Sequence, residues 1–322
     1  MWYVLRKIAL SFLTIFAISL LVFFMFQVIP GDPVLSQFGM DDLTEYLAER
    51  MRYEFELDTP VIWRYLNWVR RVLRGDLGQS FQFRTGVAGL ISSRLQPTFS
   101  LAFLSMGVVV LVGIPLGVYI ANNAHRKRGA AASVTTQVFM AVPSFWLAII
   151  LMWIFAFRLN FASIRVTVNW SDPIATIRAL SLPVIALSLG GIAVIVRYVC
   201  TSVLEQKNSE YVKAACAKGL TDRQVIKRHV LKNALAPVIT VLGLTFISLL
   251  TGSIIIENVF VISGIGSLLI GAINHNDYPL IQGIVLYYSI VVVLVGLVVD
   301  AIHAFIDPRI RKKKVIASAS RP

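Results

Sequence analysis

Six apolar runs without a single Asp, Glu, Lys or Arg constrain this chain more than any other feature: residues 8–29, 98–121, 130–157, 179–196, 234–256 and 278–299. A helix needs about 20 mostly apolar residues to cross the hydrocarbon core of a bilayer, and each run reaches or approaches that length. Inside lipid the backbone must satisfy its own N–H and C=O groups, so the runs are expected as helices. Composition agrees, with 57% hydrophobic and 15% charged residues in 322, where soluble domains carry about a quarter charged. The expected fold class is an all-α integral membrane protein with six transmembrane helices. The first run follows Arg6 and Lys7 as a signal peptide would. It is too long for a signal core and lacks a small-x-small cleavage site, so it reads as a retained anchor.

The net charge of +13 does not point to nucleic acid, because its distribution follows membrane topology. With the N-terminus inside, the inner pieces hold Arg6 and Lys7, Arg126 to Arg128, a basic hairpin over 205–232, and the tail from Arg309 to Lys314. That asymmetry orients the spans, with both termini cytoplasmic. Residues 258–276 are also free of Asp, Glu, Lys and Arg, but a seventh crossing would carry the basic tail outside. An external hairpin or a shallow segment packed against protein is expected there. Gly113, Pro115, Gly117, Pro143, Pro183 and Gly190-Gly191 interrupt the spans, either permitting close helix packing or bending helices that line a path.

Residues 30–97 form an insert on the outer side, with helical spacing over 41–55 and 60–73 that suits amphipathic helices on the outer face. Trp2, Trp153 and Tyr278 suit membrane interfaces. Arg197, Glu257, Asp300 and His303 are the ionisable residues near the spans. Arg197 and Asp300 lie near the inner ends of theirs and are a candidate intramembrane polar pair. Cys200 and Cys216 have neither C-x-x-C spacing nor a histidine pair nearby, so no disulfide framework or metal site is expected. No G-x-x-x-x-G-K-[ST] loop is present to cradle ATP phosphates, nor H-E-x-x-H, G-x-S-x-G or G-x-G-D, so the chain is expected to be non-catalytic, without a cofactor of its own.

The hairpin over 205–232 must act outside the lipid. Residues 209–218 favour helix, and Gly219 stands where a left-handed helix end is wanted. A second helix follows at once: Thr221 and Gln224 can form a reciprocal capping box, with Leu220 and Val225 as its hydrophobic staple. Ala214, Ala215 and Gly219 give the elbow little side-chain bulk, so another protein's backbone can approach closely.

The sequence here, EYVKAACAKGL followed by RHVLKNALAPV, resembles the coupling loop of permeases of binding-protein-dependent ABC importers, in the dipeptide, oligopeptide and nickel subfamily. PGDPV, LDTPVIWRYLNWV, LRGDLGQSF, RLQPTFSLAF, IENVF, GIGSLL, NDYPLIQG and DPRIR carry the likeness along nearly the whole chain. Lys213 replaces the signature's opening glutamate, and Ser263 stands where a proline is usual. The resemblance implies a type I importer permease architecture: residues 1–29 as inner end and first span, 30–97 as the extracytoplasmic insert, 98–308 as the core with the coupling loop, and 309–322 as a basic tail. It implies that Tyr211, Lys213, Ala214, Ala215, Gly219 and Leu231 couple the chain to an ATPase. It further implies a second homologous permease, two ATPase subunits holding ATP and Mg, an extracytoplasmic solute-binding protein, surrounding membrane lipid, and a place in the bacterial inner membrane. Short peptides are the implied cargo, with nickel or other metal chelates and opine-like solutes as the alternative. A secondary transporter or channel, or a membrane scaffold, is the alternative of a different class; internal repeats and midplane charges expected of the former are not evident.

Overall fold

The computed structural model describes residues 2–28, 59–159 and 166–306. The expected helix over 41–55 and the basic tail lie outside these residues. The described residues are helical apart from turns and one isolated bridge between Gln79 and Gly86. In order they form α1 (Trp2–Val28), α2 (Val61–Val72), α3 (Val87–Asn122), α4 (Lys127–Ala141), α5 (Ser144–Met152), α6 (Pro173–Lys207), α7 (Glu210–Ala217), α8 (Asp222–Val225), α9 (Leu231–Val259), α10 (Ile265–Asn274) and α11 (Tyr278–Ile306). π-helical turns extend α5 through Trp153–Arg158 and join α8 to α9 through Ile226–Val230.

Among the described residues, four helices are long and apolar enough to cross a membrane: Val87–Asn122, Pro173–Lys207, Arg228–Val259 and Tyr278–Phe305. They contain the second, fourth, fifth and sixth expected runs and overshoot most of their ends, because helix continues into polar residues that hydropathy excludes. Residues 8–28 of the first run lie in α1, whose apolar stretch Ala9–Met25 is shorter. The third run differs from expectation. It is not one straight span but two helices meeting at 92°, broken at Val142 and Pro143, both extended (ψ 123° and 133°). The proline ring disfavours helical geometry in the residue before it, and Pro143 then opens α5. The described residues thus hold four helices of membrane-crossing length and composition, or five with the bent pair taken as one, where six were expected over the whole chain.

Residues 258–276 behave as expected of a non-spanning segment. Its helix α10 has 10 residues, about 15 Å of rise and half of the hydrocarbon core.

The chain divides into two compact units. The first is Met1–Pro97 with Ser263–Leu294. In it, α2 turns Tyr65 and Trp68 onto Phe23 of α1 and Leu286 of α11, while Ile62, Trp63 and Leu66 stay exposed, as an amphipathic helix requires. The Tyr65 and Ser19 hydroxyls are 3.0 Å apart. Val87, Ile91, Ile265, Leu268, Leu280 and Ile284 form a second core there.

The second unit is Thr98–Ile262 with Val295–Pro322. Its centre is α6, with 61% of its apolar window buried against 33%, 28% and 22% in the other three crossing helices. Small residues set the spacing around it. A Cβ on Gly117 of α3 would lie 2.9 Å from the Val196 carbonyl oxygen of α6, and one on Gly243 of α9 would run into Cγ2 of Val299 on α11.

Candidate coupling surface

The elbow between α6 and α9 is built from short-range hydrogen bonds. The α6 helix ends at Asn208, and Ser209, extended at ψ 151°, opens α7. The Ser209 hydroxyl donates to the Gln206 carbonyl (2.6 Å) rather than capping α7. At the far end the Lys218 N–H bonds the Ala214 carbonyl (3.2 Å), the Gly219 N–H bonds the Cys216 carbonyl (2.9 Å), and Gly219 takes φ +81°. This is the left-handed stop expected from sequence.

Half of the expected capping box forms. The Thr221 N–H donates to Gln224 Oε1 at 3.0 Å, as foreseen, but the Thr221 hydroxyl donates to the same oxygen at 3.0 Å instead of accepting from the Gln224 backbone. The staple residues both turn inward: Val225 is buried, and Leu220 packs against the cluster that includes Val212, Val225, Val230 and Ala234. The elbow is therefore fastened to the core of the second unit on both of its limbs.

Its outer face is Ala214, Cys216, Ala217, Lys218 and Gly219, all exposed, with Tyr211 and Lys213 alongside. Ala215 departs from the expected surface. It is 8% exposed and belongs to the core cluster. Val212 and Ala215 are three apart on one helical face, and that face carries the apolar contacts; the same period places Cys216 and Ala217 outward, which motif matching overlooked. The Tyr211 hydroxyl donates to Gln206 Oε1 (2.7 Å), and Lys213 pairs with Glu210 (2.7 Å) in a fully solvated setting that adds little stability. Leu231, half-buried, opens α9.

The candidate pair of Arg197 with Asp300 does not form. No ion pair joins them among the described residues. Arg197 faces a cleft that it shares with Ala193, Cys200 and Thr201; these lie at helical spacings of three and four on α6 and turn toward α4 rather than toward α11.

Two buried carboxylates organise the chain elsewhere. Glu257, fully buried on α9, accepts from the Thr98 hydroxyl (2.7 Å) and the Ser253 hydroxyl (3.1 Å). Asp277, also fully buried, accepts from the Ser80 hydroxyl and from the N–H groups of Phe81 (3.1 Å), Gln82 (3.2 Å) and Leu280 (3.3 Å). It clasps the loop after α2 to the turn between α10 and α11. Sequence reading passed over Asp277 because it sits between apolar stretches and all but one of these partners, Leu280, lie nearly 200 positions earlier. No group of three or more potential metal ligands occurs among the described residues.

The sequence matches the family described as "Binding-protein-dependent transport system inner membrane component" over residues 113–312, and its N-terminal companion family over residues 1–102. The chain belongs to this family. This permease is 33% identical over 315 residues to a candidate peptide permease of Brucella ovis, covering 96% of this chain and 98% of that one. It is 32% identical over 313 residues to the dipeptide transport system permease protein DppB of Bacillus subtilis, covering 97% and 98%. Its fold matches the MetNI methionine ABC transporter in an inward-facing conformation with a TM-score of 0.57 at 20% identity, over 68% of this chain and 96% of that one. The permease is thus a multi-pass, non-catalytic inner-membrane component of a binding-protein-dependent ABC importer.

Proposed function

We propose that this permease forms half of the translocation path of an ATP-driven importer of short peptides and receives the ATPase stroke through residues 205–232. The observation that carries this is the elbow. A short helix with an exposed small-residue face ends on a left-handed glycine and is fastened on both limbs to the most buried helix of the second unit and to α9. A push on such a surface moves whole helices rather than a loose loop, which is what rigid-body alternation between inward-open and outward-open states requires. Two ATPase subunits, holding ATP and Mg, supply the push; a second homologous permease completes the path, and a solute-binding protein delivers cargo from outside. Both termini lie on the cytoplasmic side, where the basic residues cluster. The names of the relatives favour peptide as cargo.

The test is Gly219→Val in the purified assembly with its ATPase subunits and binding protein. A Cβ at Gly219 meets nothing within 4 Å, but φ is +81°, so a β-branched residue strains the turn without clashing with its own chain and crowds the exposed face. Substrate-stimulated ATP hydrolysis and uptake should fall together, with membrane insertion unchanged. Normal uptake in that variant rejects the coupling role. Mass spectrometry of the small molecule retained by the binding protein checks the cargo: a molecule other than a peptide rejects that half of the reading.

A further inference from the structure

Between α3, α4 and α6 lies a cleft of about 410 Å³, within the range of small-ligand sites. One wall presents Arg197 and Thr201 from α6; the facing wall presents Ser133, Thr136 and Gln137 from α4. All belong to the second unit. The α4 wall is ordered from within: the Thr136 hydroxyl donates to the Ser133 carbonyl (2.8 Å), and Gln137 Nε2 to the Ser133 hydroxyl oxygen (3.3 Å). No carboxylate lines the cleft, and none pairs with Arg197 among the described residues.

The position of Arg197 makes this arrangement informative. It lies ten residues (207 − 197) before the end of α6, about 15 Å along the helix. It directly follows the apolar run 179–196 and is exposed, so at the inner end of the span its guanidinium stays open to a solute rather than buried in lipid. A guanidinium facing hydroxyls and an amide, with no counter-ion among the described residues, is complementary to a planar oxyanion from outside the chain.

We propose that this cleft is a carboxylate subsite that receives the C-terminal carboxylate of a short peptide, Arg197 holding its two oxygens and the α4 wall meeting the last amide. The inference rests on the peptide reading above. A lipid phosphate offers the same charge, but the hydroxyls of Ser133, Thr136 and Thr201 and the amide of Gln137 are groups that a peptide bond uses and an acyl chain does not.

The test is binding of labelled trialanine to the intact assembly in phosphatidylcholine nanodiscs, without the solute-binding protein. Unlabelled trialanine should compete and its C-terminal amide should not. Arg197→Gln should weaken binding about tenfold or more. Arg197→Lys, which keeps the charge but not the fork, should weaken it less and guards against loss of folding. Equal competition by the amide, or wild-type affinity in R197Q, overturns the proposal. So does displacement of the peptide by added phosphatidylglycerol, which would assign the cleft to lipid phosphate. Uptake of trialanine delivered by the binding protein separates the two readings: import without carboxylate-dependent binding sinks the subsite alone, whereas no import of any peptide sinks the peptide reading and the subsite with it.

Discussion

Asp277 shows how much a single buried side chain can organise. One carboxylate accepts from a hydroxyl and three backbone N–H groups, so removing it leaves several donors without a partner in a dry site. Each orphaned buried donor costs about 1–3 kcal/mol. Asp277→Ala should therefore lower the thermal midpoint of the detergent-solubilised protein markedly and open residues 79–86 to protease, whereas Asp277→Asn, keeping one acceptor oxygen, should lose less. Equal stability of the two variants would refute this account of the clasp. Ala215 carries the opposite lesson. Motif matching grouped it with Ala214 as surface, yet the two alanines differ in role because adjacent helical positions lie about 100° apart. Ala215→Leu is predicted to disturb the packing of α7 on its core and reduce thermal stability, while Ala214→Leu should leave stability unchanged and impair ATPase coupling.

At the level of elements, helices approach where glycine allows it, and the kind of atom opposite decides what a substitution does. At Gly243 the obstructing atom is Cγ2 of Val299, with the next nearest at 3.6 Å. Gly243→Ala should destabilise by about 1–3 kcal/mol through overpacking, and Val299→Ala in the same chain should restore most of that, giving a large coupling in a double-mutant cycle. At Gly117 the obstruction includes the Val196 carbonyl oxygen at 2.9 Å as well as Val199. Trimming Val199 should rescue Gly117→Ala poorly, because backbone cannot be trimmed. Equal rescue at both sites would mean that the helices simply move apart. The broken third run belongs at this scale too: hydropathy sees one continuous apolar stretch, while Pro143 and the residue before it impose the 92° turn.

Across the whole molecule, the proposed stroke requires the elbow to face the ATPase side and α2 to face the other. Cys216 is exposed on the elbow and Trp63 is exposed on α2, which gives two reporters. A membrane-impermeant maleimide should modify Cys216 only in inside-out vesicles, and a cysteine placed at position 63, in a chain with Cys216 replaced by serine, only in right-side-out ones. Labelling with the reverse sidedness would reject the orientation, and with it the coupling reading.

The sequence by itself determined what depends on composition and short range. Apolar run length located the membrane helices, because burying backbone in lipid leaves few alternatives to helix. Gly219 marked the elbow's end, because only a residue without a Cβ adopts that conformation freely. Tertiary structure decided everything that depends on which way a helix is turned and what stands opposite: that Ala215 is core and Cys216 is surface, that Arg197 faces α4 rather than Asp300, and that Asp277 holds a loop nearly 200 positions earlier in the chain (|i−j| = 197). Such choices are made by packing between residues distant in sequence, and a local pattern does not contain them.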